Sequence, residues 1–250
     1  MSGHSKWATT KHKKAAVDKT RGKLFAKIIR QVEVAAREGG GDVEGNPTLR
    51  TMFQKARDAS IPIDTIERAI KRGTGELEGV RYETINYEGY APCGVAVYVE
   101  VLSDNRNRTG ADIRSIFSKG GGSIAEPGAV SWQFERKGVV ILPKSAGSED
   151  DLMTVGLEAG LDDLEDQGDT WQMTVAPTDL PTLRQALDDA RLRYDSAELT
   201  MVASQTVPLD SEGDARRVLK LLDALEDNDD VQNVFANFDI PDAVLELVEA

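Results

Sequence analysis

The sequence contains very little of what disulfides, metal centres and membrane spans require. Its 250 residues include one cysteine, Cys93, which excludes an intrachain disulfide and fits a reducing compartment. The two histidines, His4 and His12, have no cysteine near them, and two ligands do not complete a tetrahedral metal site. No run reaches the roughly 18 apolar residues that a membrane helix needs, and the first residues lack the apolar stretch of a secretory signal. We therefore expect a cytoplasmic protein with no cofactor, no metal and no membrane partner.

The groupings that carry catalysis are missing as well. Cys93 has no histidine near it in the sequence that could activate a thiolate. The acidic clusters at 162–166 and 227–230 have no accompanying base or nucleophile, so both are interpreted as a solvated acidic face. The glycines at 39–41 lack the preceding strand and the Gly-Lys-Ser/Thr ending of a phosphate-binding loop. The sequence thus predicts a protein that is not an enzyme.

Positive charge is scarce overall but concentrated at one end of the chain. The formal net charge is -13. Residues 1–75 hold 16 lysines and arginines against 8 acidic residues, whereas residues 76–250 hold 14 against 35. Such asymmetry is typical of a basic binding module on an acidic body. The acidic body would repel phosphate, so only one end of the molecule should approach nucleic acid.

The positive surplus lies within the first 30 residues, where nine lysines and arginines face one acidic residue, Asp18. Lysines neutralise phosphates and release counterions, and an exposed tryptophan can stack on an unpaired base. The alternative is a solvated tail with Trp7 packed on the helices that follow. Tails this basic bind phosphate polymers, which favours the interpretation that these residues bind nucleic acid. The predicted nucleic-acid-binding residues are Lys6, Trp7, Lys11, His12, Lys13, Lys14, Lys19, Arg21, Lys23, Lys27 and Arg30.

A second candidate anion site lies at 105–109, between a predicted strand and a predicted helix. Free backbone N–H groups and the helix dipole favour anions at such a position, and arginine forks match phosphate geometry. Arg106, Arg108 and Thr109 would form this site. The sequence leaves equally open that these arginines are locked to carboxylates of the acidic body.

The first 78 residues are predicted to form the basic arm and a three-helix domain. Apolar residues from Leu24 to Ala36 recur at helical spacing. Asn46 and Pro47 have the residue types of a cap and a first helical position, and begin a second helix. A capping-box-like pair, Asp64 and Glu67, would begin the third helix, with Gly73 as its stop.

The remainder of the chain is predicted to be α+β. Residues 138–204 follow the order βαββαβ, which is typical of a ferredoxin-like unit. Predicted strands at 94–103, 131–136 and 231–237 and a helix at 214–225 lack a sheet of their own. We therefore predict a multi-domain α and α+β protein with an N-terminal three-helix domain and two ferredoxin-like α+β domains, one inserted in the other. The predicted domains are 1–78, then 79–137 together with 205–240, and the inserted 138–204.

Two aromatic residues, Trp132 and Phe134, alternate on one of these predicted strands. They are interpreted as core residues. A stacking platform for RNA would need basic residues beside them, and this sheet has too few.

A family resemblance is carried, in chain order, by Gly3-His4-Ser5-Lys6-Trp7, Arg21-Gly22-Lys23, Gly39-Gly40-Gly41-Asp42 with Asn46-Pro47, Ala69-Ile70-Lys71-Arg72-Gly73, Tyr87-Glu88-Gly89-Tyr90 and Asp104-Asn105-Arg106-Asn107-Arg108-Thr109. These motifs resemble the YebC/PmpR family nearly end to end. One departure is Cys93, which stands where the family usually has glycine. The resemblance implies a helical domain and two α+β domains, a bacterial cytosolic or organellar protein, and no catalytic residues.

The resemblance also implies two functions, in transcription and in translation. The lysine-rich residues, which lack base-reading side chains, slightly favour translation, whereas the family description favours transcription. Family members are described as transcriptional regulators that bind DNA. The family also resembles the mitochondrial translational activator of cytochrome c oxidase I, and members have been connected with translation of proline-rich stretches on the ribosome. The partner is therefore expected to be DNA or ribosomal RNA. The predicted third helix offers Arg68, Lys71 and Arg72 but no Asn or Gln for adenine contacts, and the sequence does not indicate an oligomeric state.

Overall fold

The computed structural model describes the backbone of residues 18–249 and the side chains of residues 22–241 and 243–248. The helices are α1 Asp18–Gly39, α2 Pro47–Asp58, α3 Ile63–Thr74, α4 Arg106–Lys119, α5 Glu149–Glu158, α6 Leu180–Asp189, α7 Glu212–Glu226 and α8 Asp242–Glu249. The strands are β1 Glu83–Tyr90, β2 Ala96–Ser103, β3 Ser123–Ala125, β4 Phe134–Pro143, β5 Leu161–Asp166, β6 Thr170–Val175, β7 Ser196–Ala203, β8 Val207–Pro208, β9 Val231–Ala236 and β10 Phe238–Asp239. Within the described residues, no helix is long and apolar enough to cross a bilayer.

Helices α1 to α3 form a helical unit with a core of its own. Its buried residues are Ile28, Val32, Ala35, Ala36, Leu49, Ala56, Ile61, Ile66 and Ala69. Asn46 caps α2 as expected, because its side chain accepts a hydrogen bond from the Leu49 N–H at 3.0 Å and Pro47 follows it. The predicted helical N-terminal domain is confirmed.

The limits predicted for the third helix were wrong at both ends. Helix α3 begins at Ile63 after Pro62, without a side-chain cap, and ends at Thr74, which Gly75 follows in the left-handed conformation. Gly73 therefore lies inside the helix. A Cβ atom there would meet the backbone carbonyl of Glu33, so this glycine permits α3 to pack closely against α1.

Two four-stranded antiparallel sheets form the α+β part of the protein. The first sheet has the order β3-β1-β2-β9 and the second has the order β5-β6-β4-β7. The strands of the second sheet follow the βαββαβ connection, and they lie in the chain between β3 and β9. The first α+β unit is therefore interrupted by the second, in agreement with the predicted fold class.

Each sheet carries its helices on one face. In the first unit, Ile113 and Phe117 of α4 and Val218 and Leu222 of α7 share a buried cluster with the alternating valines of β2. In the second unit, α5 and α6 cover β4 and β6, with Leu152, Leu183, Leu187, Val140, Leu142 and Met173 among the buried residues. The opposite face of the first sheet meets the second unit, where Tyr98 lies 6.3 Å from the ring of Phe134 and 6.4 Å from that of Phe235.

The sequence predicted two separate strands where the structure has one. Strand β4 runs without a break from Phe134 to Pro143, so the charged residues Glu135–Lys137 continue the strand and do not form a turn. All of β4 belongs to the second sheet, because Phe134 pairs with Ala203 of β7. The predicted boundary between residues 137 and 138 consequently falls inside a strand. The strand that completes the first sheet is the three-residue β3, which is too short to leave a periodic pattern.

The interpretation of Trp132 as a core residue was also wrong. It lies in a single 3-10 turn before β4, and 71% of the residue is exposed. Phe134 is 7% exposed and belongs to the buried cluster between the sheets, as expected. The turn breaks the alternation on which the interpretation depended.

Candidate nucleic-acid interface

The predicted binding residues fall into two groups relative to the structure. Lys6, Trp7, Lys11, His12, Lys13 and Lys14 lie outside the described residues. Lys19 and Arg21 belong to α1, for which the side chains are described from residue 22 onward. Lys23, Lys27 and Arg30 follow on α1 at spacings of four and three residues, which places them on one face of the helix. We call these three residues the basic stripe.

The basic stripe contacts an acidic segment of the first α+β unit, residues 226–230. The Lys23 ammonium group lies 2.7 Å from Asp227 Oδ1 and donates to the carbonyl oxygen of the same residue at 2.9 Å. Lys27 Nζ donates to the carbonyl oxygen of Glu226 at 2.7 Å. These carbonyls end α7, where helix carbonyls lack partners and the helix dipole attracts cations. The stripe therefore acts as a cationic cap on the C-terminus of α7.

Arg30 extends this contact toward the interior. Its guanidinium group donates to the carbonyl oxygen of Asp229 and lies 3.2 Å from Asp230 Oδ1. It also stands over the ring of Tyr82, 5.5 Å from the ring centre, where a cation is attracted by the aromatic face. Arg30 is thus held by both carboxylate and aromatic groups of the chain.

Asp230 joins the helical unit to the first α+β unit. The residue is 7% exposed, and its Oδ2 accepts hydrogen bonds from Arg108 Nη2 at 2.7 Å and from the Thr109 hydroxyl at 2.6 Å. Burial alone would raise the pKa of this carboxyl. The hydrogen bonds from Thr109 and Arg108, with the charges of Arg108 and Arg30, outweigh burial and lower the pKa below its ordinary value.

The second candidate anion site is organised around that carboxylate. Asn105 caps α4 by accepting from the Arg108 N–H at 3.1 Å, and Arg108 also reaches Asp104 at 2.7 Å. Hydrogen bonds to Asp230 and Asp104 raise the pKa of Arg108. Arg108 and Thr109 thus converge on one anion, which is the protein's own Asp230. Arg106 is exposed, and its side chain makes no hydrogen bond or ion pair with the part of the chain that is described.

Sequence reasoning did not identify the residues that meet the stripe. Asp227 and Asp230 were taken for part of a solvated acidic face, whereas Asp230 is buried and paired with three residues. Tyr82 was not considered. The available signal was charge complementarity between a helix with surplus cations and an acidic run directly after another helix.

A second buried carboxylate, that of Glu88, binds the backbone of residues 128–131. Glu88 of β1 is 7% exposed, and it accepts backbone hydrogen bonds from Gly128 and Val130 at 2.7 Å and from Ser131 at 2.9 Å. Burial tends to raise the pKa of Glu88, but these hydrogen bonds outweigh it and lower the pKa. They hold the segment that presents the exposed Trp132.

The described residues contain no group of three or more histidine, cysteine, aspartate or glutamate side chains that could hold a metal ion. The candidate site consists of cations on one helix face, positioned by carboxylates and carbonyls of the neighbouring unit.

Two family models match most of the chain. The model of the TACO1/YebC protein N-terminal domain matches residues 5–76, and that of the TACO1/YebC second and third domain matches residues 82–238. The chain belongs to the TACO1/YebC family, which confirms the resemblance found in the sequence. The two matches meet between α3 and β1, where the helical unit ends.

Similar proteins extend over nearly the whole chain. A "Probable transcriptional regulatory protein" of Saccharopolyspora erythraea is 58% identical, and one with the same name from Streptomyces avermitilis is 56% identical, each over 100% of both chains. The crystal structure of a conserved hypothetical protein from Aquifex aeolicus has a TM-score of 0.81 and 44% identity. The match covers 91% of this chain and 94% of that one.

Proposed function

We propose that this chain is a non-enzymatic, nucleic-acid-binding regulator of gene expression that acts on DNA as a transcriptional regulator. The observation that carries the proposal is the cationic face of α1, which continues the lysine-rich segment 6–21 along the sequence. The names of the relatives from Saccharopolyspora and Streptomyces support the transcriptional role.

Charge limits the way in which such a complex can form. The chain carries a net charge of -13, and its acidic residues lie mostly beyond residue 75. A phosphate backbone would be repelled by both α+β units and attracted to the helical unit. Lysines bind the phosphates of nucleic acid. Such contacts position a protein on a duplex without reading its sequence. Specificity would then depend on the shape of the nucleic acid.

A second candidate function is a ribosome-associated translation factor, acting at proline-rich sequences as the family resemblance implies. The observation that favours it concerns α3, the helix whose cations Arg68, Lys71 and Arg72 were considered for base contacts. Arg72 is turned to the buried Glu33 at 3.0 Å, and Arg68 donates to the Asp64 carbonyl at 3.0 Å. A helix whose arginines are engaged internally is poorly equipped for readout in the major groove. Folded RNA is recognised more by shape and phosphates.

One experiment separates the two candidates. Native lysate is fractionated on a sucrose gradient with and without RNase, and the nucleic acid crosslinked to the protein is sequenced. Discrete promoter DNA without ribosome co-migration supports the transcriptional proposal. RNase-sensitive co-migration with ribosomes, with crosslinks to ribosomal RNA, would overturn it in favour of translation.

The role of the basic arm is tested in the same purified protein. Changing Lys11, Lys13 and Lys14 together to glutamate should weaken binding and reduce the slope of log K against log salt by up to about three. Charge reversal of three exposed cations of the α+β part, Arg114, Lys119 and Lys220, is the matched control. Equal effects of the two triple variants would show that the arm has no special role.

A further inference from the structure

We infer that the acidic segment 226–230 competes with nucleic acid for the basic stripe, so that binding releases the helical unit from the first α+β unit. This inference rests on the proposed function, because it concerns the regulation of the same site. Its basis is the set of contacts that already occupy Lys23, Lys27 and Arg30.

The segment presents to the stripe the type of ligand that a phosphate backbone would present. Lys23 and Arg30 each contact one carboxylate oxygen and one carbonyl oxygen, and Lys27 contacts a carbonyl oxygen. Phosphate oxygens are anionic acceptors of the same kind. The carboxylates of Asp227 and Asp230 neutralise these cations and repel a phosphate that approaches them. The two ligands therefore compete for the same cations.

The contact becomes more buried along the stripe. The side chains of the Lys23–Asp227 pair are 33% and 78% exposed, whereas those of Arg30 and Asp230 are 21% and 10% exposed. Exposed ion pairs contribute little and are screened by salt. Lys23 also lies nearest to the lysine-rich arm in the chain. Nucleic acid held by the arm would displace the Lys23 pair first and reach Arg30 last.

Release of the stripe does not leave a buried charge alone. When Arg30 leaves, Asp230 keeps its hydrogen bonds from Arg108 and Thr109. The carbonyl groups at the end of α7 can accept hydrogen bonds from water in place of the lysines. The buried cluster of the helical unit, among the described residues, contains no member from either α+β unit, so its core stays intact when the unit moves. These features make the contact separable, which a structural ion pair in a shared core would not be.

The acidic segment contains its own control. The Asp227 carboxylate contacts Lys23, whereas the exposed Asp229 side chain makes no hydrogen bond or ion pair with the described residues. Asp227→Asn and Asp229→Asn remove the same charge two positions apart, but only the first removes an ion pair with the stripe. Any difference between the variants therefore reports the contacts of Asp227 and not the net charge.

Affinity is measured by fluorescence anisotropy at low salt, with a labelled DNA duplex and a labelled single-stranded RNA as probes. Asp227→Asn should bind the preferred probe about two- to five-fold more tightly than Asp229→Asn, as expected for the loss of one exposed competing pair. Equal affinities of the two variants, with normal binding by the unchanged protein, would overturn the inference and leave the proposed function standing. Failure of the unchanged protein to bind either probe would overturn both.

Movement is measured separately by energy transfer between dyes. The dyes are placed at two exposed positions, Glu67→Cys on α3 and Asp112→Cys on α4, in a Cys93→Gly background. Saturating nucleic acid should lower the transfer efficiency, because the helical unit leaves α7. Unchanged transfer at saturation would show that nucleic acid binds with the stripe still docked, which also overturns the inference.

Discussion

Replacing Glu88 with glutamine perturbs the segment that presents Trp132 while keeping the size of the side chain. One carboxylate oxygen accepts from Gly128 N–H and the other accepts from both Val130 and Ser131 N–H groups. A glutamine has one acceptor oxygen and one NH2 group. The NH2 group would therefore face at least one backbone donor, and the remaining bonds would lose their charge.

The magnitude follows from the number of bonds affected. A hydrogen bond to a charged group contributes about 1.5–3 kcal/mol, and a buried donor left without a partner costs about 1–3 kcal/mol. Since the glutamine keeps part of the network, we expect Glu88→Gln to lower the free energy of unfolding by about 2–4 kcal/mol. Glu126→Gln, an exposed change in the same segment, should stay within about 0.5 kcal/mol of the unchanged protein.

The pH dependence gives a second readout with a defined sign. The folded-state pKa of Glu88 is lowered, so its stabilisation is complete above the unfolded-state pKa and is lost as the pH falls through the folded-state value. The difference in unfolding free energy between the unchanged protein and Glu88→Gln should therefore shrink as the pH falls below about 4.5. Urea denaturation followed by circular dichroism measures it. A difference within about 0.5 kcal/mol at neutral pH, or one independent of pH, would refute the reasoning.

Three further predictions concern single positions. Asp230→Asn should lower the free energy of unfolding by about 2–3 kcal/mol, because it removes the charge of a buried carboxylate that accepts from Arg108 and Thr109 and pairs with Arg30. The loss should diminish at acidic pH, where the unchanged Asp230 is itself protonated; a flat pH profile in urea titrations would contradict this. Gly73→Ala should cost about 1–3 kcal/mol through a clash between α1 and α3, although alanine favours helices; a gain in thermal stability would contradict the close packing. Burial, followed by the hydrogen bond and charge of Asp214, raises the pKa of the Cys93 thiol. Asp214→Asn should therefore shift the pH profile of iodoacetamide alkylation of Cys93 toward lower pH. An unmoved profile would show that Asp214 does not raise this pKa.

Local patterns along the chain predicted most of the secondary structure. The apolar spacing of residues 24–36 predicted α1, and the Asn-Pro pair at 46–47 predicted the start of α2, because both signals depend on neighbours within one or two helical turns. The order of elements in 138–204 also identified the inserted βαββαβ unit. Errors occurred where a local signal had two meanings. The charged run Glu135–Lys137 can end a strand or continue one into solvent, and pairing with β7 decides which occurs.

The sequence by itself determined that a surplus of cations lies at one end of a chain that is acidic elsewhere, and it indicated nucleic acid as the partner. Only the tertiary structure decided what those cations contact in the free protein. It places the basic stripe against residues about 200 positions away in the chain, where Asp230 holds Arg30, Arg108 and Thr109 together. The physical reason is that helix periodicity is encoded by neighbouring residues, whereas the partner of a charge is chosen by packing between distant elements.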